Sequence, residues 1–429
     1  MMGTAYFWIV LLTFFPFLAG NRTEPDIWLN VPVLTEYRPQ QVILKGKTSR
    51  LVLQLVTGDT LKVLEAGKPL TLRAERGRVV ATWERGQAVA GKLIVRGEHE
   101  HPVYVRLRGE RGKSIERGYR GYLQVSVPSR RLVQLNLVNQ VALEDYVASV
   151  IPAEYPFDDI EGAKAQAVAT RTYAVYFLYT MGQQVLIADH VGAQVYQGVE
   201  RETPLSRRVA RETAGQILVY RGEPIEAVFS ASCGGHSANN EDVWEGPARP
   251  YLRGRACKYD KISPHQNWTF KVKRRTLLQF LSRLTGEKVE GVLFKDRGKD
   301  GRYRKVDLVL RGGRRRTVRG NWFRLAVSAE FGSKSLRSML FRVRLRKGYY
   351  YFEGHGFGHG VGLCQWGAHG MALEGKKYRD ILKHYYRGVK FAHVSDIFQH
   401  SEPEEELEPV VSIPEQFYQE RMSNPGWED

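Results

Sequence analysis

Apolar and polar residues alternate along much of the first third of the chain. From about residue 26 to 127, runs such as RLVLQLVTGDTLKVLEAGKPLTLRAERGRVVATW, KLIVRGEHEHPVYVRLRG and YRGYLQVSV keep a period of two, broken by Gly and Arg. That texture predicts short antiparallel strands, with the Arg and Lys positions on the solvent face. Near Leu132 a last strand-like run, LVQLNLV, gives way to helical spacing. Ile160, Ala163, Ala167, Val168, Arg171, Val175 and Leu178 form one stripe, with Asp158 or Asp159 placed to cap the helix and Gly182 to end it. Period-two runs return in GQILVYRGEPIEAVFSASCGGHS, VEGVLFKDRG, RYRKVDLVLRGGRRRTVRG and FRVRLRKGYYYFEGHG. Gly312-Gly313 reads as a hairpin turn, and two further helices are expected at about 275–284 and 378–386.

These elements predict an α+β protein: a β-rich N-terminal domain at 26–118, then a mixed α/β domain at 119–398 with antiparallel strands and a few helices. After His400 the acidic, proline-punctuated SEPEEELEPVVSIPEQ predicts a disordered tail over 399–429. At the other end, AYFWIVLLTFFPFLA is the length of a signal-peptide core and short for a spanning helix. Residues 1–22 are therefore read as an export signal, with a retained membrane anchor as the alternative.

Composition sharpens this picture. The chain has 429 residues, 43% of them hydrophobic and 26% charged, enough for ordinary folded cores. A net charge of +18 favours anionic partners. For an exported protein those are membrane surface and acidic wall polymers, and nucleic acid is set aside as a partner. Three cysteines are odd in number and too few for a disulfide framework.

Glu154 is the sharpest single candidate for chemistry. With Pro152 and Pro156 on either side it is expected on a stiff extended corner ahead of a helix. A fixed carboxylate suits a general acid, provided burial against Tyr155, Phe157 or Tyr173 outweighs the nearby helix dipole and raises its pKa. The following helix carries Gln166 and Tyr173 on one face and Arg171 near its apolar stripe. A partly buried Arg171 wants a carboxylate, which Glu154, a substrate acid or a structural salt bridge would supply.

Cys233-Gly-Gly-His236 with Cys257 offers three ligands of a kind zinc takes, with His190, His265 or water as the fourth. A Cys233–Cys257 disulfide and free thiols stand beside that reading. Further on, GHGFGHGVGLCQWGA fits neither the Gly-x-Gly-x-x-Gly of a dinucleotide fold, nor a P-loop, nor the His-Glu-x-x-His of a zincin. Read as a strand, it shows His355, Phe357, His359 and Val361 on one face and bare glycine, open to another backbone, on the other. Cys364 is the residue there with least claim to chemistry.

Taken together, LEDYVASVIPAEYP, KAQAVATRTYA, QVYQG, FSASCGGHSANNEDVWEGPARPYL, GNWFRL and GHGFGHGVGLCQWGAHGMALEGKKYRDILKHYYRGV resemble the stage II sporulation protein D family, which includes the LytB amidase enhancers. The resemblance spans about 119–392. It implies peptidoglycan binding and, in the sporulation branch, a lytic transglycosylase that cuts glycan strands stripped of their peptides. The glutamate of the Pro-Ala-Glu motif, here Glu154, is then the catalytic acid. Gln166, Arg171, Tyr173, Tyr196, Ser230, Trp244, His359, Gln365 and Trp366 are the residues expected to hold the site and line the glycan groove. The LytB branch implies a non-catalytic activator of a wall amidase instead. Some relatives place zinc ligands in the loop before Gln-x-Tyr, where this chain has His190 but no cysteine. The expected metal set is therefore Cys233, His236, Cys257 and His190.

Overall fold

The computed structural model describes residues 27–108, 114–129, 133–187 and 194–398. The segments read as signal and as acidic tail lie outside the described residues, as does His190. The mixed α+β class expected from patterning is the class observed. Contacts divide the chain into two units, Pro32–Ala142 and Leu143 onward, the latter taking in Trp28–Val31. The boundary at 118/119 falls inside the strand Ser114–Tyr119, because the next two strands still bury Leu123, Val125 and Leu137 in the first unit.

The first unit is built on two antiparallel sheets. In one, Asn136–Ala142, Tyr122–Ser126, Lys92–Gly97, Leu51–Leu55 and Thr60–Leu64 lie side by side. In the other the order is Ser114–Tyr119, Val103–Arg108, Gln41–Lys45, Leu70–Glu75, Arg78–Trp83 and Gly86–Ala90. The alternation has its predicted effect. Leu70–Glu75 buries Leu70, Leu72 and Ala74 while Arg73 and Glu75 face water, and each fully buried Leu or Val contributes about 1.5–3 kcal/mol.

In the second unit the helices are α1 (Leu143–Glu154), α2 (Ile160–Met181), α3 (Pro204–Glu212), α4 (Asn240–Val243), α5 (Arg274–Thr285), α6 (Gly320–Phe331), α7 (Gln365–Leu373), α8 (Tyr378–Tyr385) and α9 (Val394–Phe398). Asp159 caps α2, accepting from the Gly162 amide at 2.7 Å, and Gly182 ends it at φ 83°. Strands Trp268–Lys273, Tyr349–Gly354 and Phe341–Arg346 form one sheet and Val289–Arg297, Tyr303–Leu310 and Arg315–Arg319 another. With α5 and α6 they enclose a core that includes Phe280, Phe323, Phe341 and Phe352. Gly312 and Gly313, at φ 79° and 81°, turn the chain between the last two strands as expected.

Two local expectations are corrected. Glu154 is not on an extended corner: α1 runs through Pro152 and Glu154 is its last residue. The helix stops there because Tyr155 precedes Pro156, which disfavours helical backbone. The glycine-histidine stretch is not a strand either: a strand ends at Gly354, the next is Leu363–Cys364, and His355 to Gly362 between them belong to none. Gly356, Gly358, Gly360 and Gly362 have φ of 78°, 99°, 78° and 71°, the left-handed region that glycine adopts without strain. The close backbone approach expected of these glycines is present: Phe357 and Ser232 exchange backbone hydrogen bonds at 2.8 and 3.0 Å, and a Cβ on Gly356 would lie 2.8 Å from the Ser232 carbonyl oxygen.

Candidate active site and thiol cluster

Glu154 ends α1 facing inward, with 7% of its surface exposed. Oε1 accepts from the Val195 amide at 2.8 Å and Oε2 from Gln365 Nε2 at 3.4 Å. Burial pushes its carboxyl above the ordinary range, and these two hydrogen bonds, which pull the other way, do not cancel it. Its place at the C-terminal end of α1 acts in the same direction as burial, because the last carbonyls present partial negative charge. The group is thus biased towards the neutral form that a proton donor needs.

Beside it the sequence builds an aromatic rim. Phe157 stacks on His369 at 4.3 Å and meets Trp366 edge-on at 4.7 Å, and all three are half-buried. His369 Nδ1 lies 2.7 Å from Asp159 Oδ2, which also accepts from Tyr155 Oη at 2.9 Å. Gln365 and His369 are four residues apart on α7, hence on one face. One face of α7 therefore meets Glu154 through Gln365 and the cap of α2 through His369. Val195 and His369 were missed as site residues. The spacing of Gln365 and His369 would have signalled two of these contacts had the glycine-rich stretch been recognised as entering a helix.

Of the residues expected in the site, Gln365 and Trp366 join Glu154 here. Arg171 does not. It is fully buried and pairs with Glu144, Nε to Oε1 at 2.8 Å and Nη2 to Oε2 at 2.5 Å, with further bonds to the Gln216 and Ala210 carbonyls. The salt bridge is structural, and its partner is Glu144, not Glu154. Gln166 is buried against Thr170, Tyr173 meets Phe177 edge-on, and Tyr196 stacks on Tyr146 at 5.2 Å. Ser230 Oγ accepts from the Gly360 amide. Trp244 lies 4.8 Å from the His359 ring, both of whose nitrogens are engaged, Nε2 with the Phe229 carbonyl and Nδ1 with the Val361 amide. Ser230, Trp244 and His359 brace the glycine-rich loop from inside.

The expected metal set is also corrected. His236 Nδ1 is held by the Ser237 carbonyl at 2.7 Å. Cys364, discounted from the sequence, takes its place: the sulfurs of Cys233, Cys257 and Cys364 all lie within 4.8 Å of one another, buried and unbridged. Tetrahedral coordination at Zn–S of about 2.3 Å separates sulfurs by about 3.8 Å, so the cluster is able to hold a metal ion. Burial pushes the Cys233 and Cys364 thiols well up, while hydrogen bonds from Cys233 and Cys364, with His384 and Tyr385, pull Cys257 well down.

Residues 132–220 match the family model described as SpoIID, stage II sporulation protein. Over 290 residues the chain is 32% identical to stage II sporulation protein D of Bacillus subtilis, spanning 62% of this chain and 79% of that protein. The chain belongs to the SpoIID family. It is also 34% identical over 282 residues to an uncharacterized protein of Brachyspira hyodysenteriae, 64% of this chain and 72% of that one. An amidase enhancer of Bacillus subtilis is 28% identical over 288 residues, 56% of this chain but 39% of the longer relative. Membership of the SpoIID family implies a cell-wall, peptidoglycan-related role. No helix among the described residues is long and apolar enough to cross a membrane.

Proposed function

We propose that this SpoIID-family protein is a lytic transglycosylase of the cell envelope, exported or anchored by its N-terminal segment, acting on peptide-stripped glycan strands. The observation that carries the reading is Glu154: a single buried carboxyl, biased towards neutrality, beside half-buried aromatic groups suited to stacking on a sugar ring. Glu154 gives its proton to the glycosidic oxygen as the C1–O bond breaks. Its carboxylate then takes the proton of the muramic acid C6 hydroxyl, whose oxygen bonds to C1 and closes a 1,6-anhydro ring. Atoms balance without water, and Glu154 ends as it began. Lactyl carboxylates on the glycan complement the +18 charge. Gln365 and Val195 orient the carboxyl, and Phe157 and Trp366 border the sugar.

The three-thiol cluster is read as a structural zinc site. Three buried sulfurs suit that ion, which would bind all three as thiolates and tie distant segments together.

Digestion of purified, peptide-free glycan tests the catalytic reading. Wild type is expected to release anhydromuramic ends by mass spectrometry and Glu154→Gln to release none; their absence from both digests refutes it. The likeness to the amidase enhancer favours a second reading, a glycan-binding activator of a wall amidase. It predicts glycan sedimentation that survives Glu154→Gln and stimulation of a cognate amidase, and is lost if no stimulation is seen.

A further inference from the structure

We propose that the outer face of the sheet built from Trp268–Lys273, Tyr349–Gly354 and Phe341–Arg346 is a second binding surface for carboxylate-bearing glycan, one that holds the strand and takes no part in its cleavage. The inference rests on anionic glycan being what the protein handles and not on Glu154 cutting it. The register of the sheet makes the surface. Tyr351, on the middle strand, lies between Lys271 on one side and Arg344 on the other, and Tyr349 lies between Lys273 and Arg346. Neighbouring strands are about 4.8 Å apart and alternate residues of one strand about 6.8 Å, so two rows of cation, tyrosine and cation stand side by side on one face. The opposite face carries Val272, Tyr350 and Phe352 into the core.

The cations of this face are not balanced. Arg344 pairs with Glu353 at 2.5 Å, and Lys271 Nζ sits 4.5 and 5.3 Å from the ring centroids of Tyr349 and Tyr351. Lys273, Arg342 and Arg346 are exposed and make no ion pair among the described residues. In the other sheet of this core such side chains are neutralised: Lys295 and Arg315 converge on Asp307, at 2.6 and 3.9 Å. Charge on an edge strand deters pairing with another chain, and Trp268–Lys273 and Phe341–Arg346 are both edges. Edge protection does not account for two half-buried tyrosines on the middle strand, whose hydroxyls bond to none of the described residues. Together these groups specify the partner. Arg and Lys bind carboxylates, while Tyr offers a ring for a sugar to lie against and a hydroxyl to bond it. The face has no aliphatic side chain to insert into a lipid surface. A polymer of glycerol phosphate satisfies the cations and leaves the rings unused. Glycan that repeats sugar rings and lactyl carboxylates uses both. The strand Tyr349–Gly354 also runs on through the glycine-rich loop to Gln365, so the surface lies on the same segment that reaches Glu154.

The test uses the full chain carrying Glu154→Gln, so that glycan stays intact during the assay. The probes are insoluble peptide-free glycan and the same glycan with its carboxylates amidated. Cosedimentation should show tighter binding to the first. Lys273→Gln/Arg342→Gln/Arg346→Gln should weaken that binding about tenfold, the sum of three exposed charge contacts, and leave the amidated glycan bound as before. Tyr349→Ala/Tyr351→Ala should weaken both alike, since stacking does not depend on the carboxylate. Glycan should also slow the acetylation of Lys271 and Lys273, read by peptide mass spectrometry, and leave that of Lys295 unchanged. Undiminished glycan binding by the triple-charge variant, or equal acetylation with and without glycan, overturns the surface. Tighter binding to a glycerol phosphate polymer or to phosphatidylglycerol vesicles than to glycan overturns the choice of partner. None of these readouts depends on cleavage, so loss of the catalytic reading leaves them standing.

Discussion

Glu154→Gln should abolish glycan cleavage and at the same time stabilise the protein at neutral pH. Burial raises the carboxyl's pKa above its unfolded value of about 4.3. Between that value and the raised one, the folded protein binds more protons than the unfolded chain. Stability therefore falls as pH rises through this window, and the deficit is complete above the folded-state pKa. Each unit of upward shift is worth about 1.4 kcal/mol, and glutamine never pays it. The hydrogen bonds survive the exchange: an amide oxygen still accepts from Val195, and Gln365 Oε1, which has no hydrogen-bond partner among the described residues, can accept from the new amide once the Gln365 side chain rotates. Thermal unfolding from pH 4 to 9, beside glycan digestion, reads both effects. Turnover is expected to fall by about 10²–10⁴-fold. The melting temperature should be unchanged near pH 4 and higher at pH 8, by about 2–4 °C for each kcal/mol. A variant less stable than wild type at every pH would make Glu154 a structural anion and refute the reasoning.

Arg171→Met should cost about 1–3 kcal/mol in chemical denaturation, because the buried Ala210 carbonyl and the half-exposed Glu144 lose the guanidinium that they accept from. Gly360→Ala would drive a methyl into the Arg302 guanidinium at φ 78°; a lower melting temperature with unchanged metal content is expected. Burial, with Arg337 and Lys334 nearby, holds the His265 pKa down to about 4. The unfolded chain takes up that proton near pH 6.5, so stability present above that pH is lost as pH falls towards 4, and His265→Gln should flatten this limb of a stability–pH curve. Phe157→Ala removes the stack on His369 and the edge contact to Trp366, and should raise KM for glycan more than it lowers kcat.

The β-rich first unit was legible because its strands keep one dry and one wet face, as in Leu70–Glu75 and Val103–Arg108. The helices α2, α5 and α8 were legible from periodicity, and α2 also from its cap at Asp159 and stop at Gly182. The helix α6 was hidden: a glycine opens it and no side-chain cap marks its start. Glu154 could be singled out by its flanking prolines, yet those prolines misplaced it. Local sterics disfavour helix before Pro152, and the packing of Val147, Val150 and Ile151 carries α1 past that residue regardless. Arg171 was legible as a buried cation in need of a carboxylate, but the partner lies 27 residues upstream at Glu144, and no local spacing identifies it.

The hardest part to foresee is α7. Nine residues make a marginal helix in isolation, and glycines at 367 and 370 lower its propensity further. Tertiary contacts must therefore hold it. Cys364 joins two other sulfurs at its start, Gln365 meets Glu154, and His369 reaches Asp159 at the head of α2. The glycines are the condition for those contacts rather than a weakness: side chains at 367 and 370 would collide with the Cys257 sulfur and with the Tyr259 backbone. Because contacts substitute for propensity, the helix that presents Gln365 to Glu154 is only as well placed as its anchors. Loosening the thiol cluster should therefore disturb the Glu154 site without touching any residue in it.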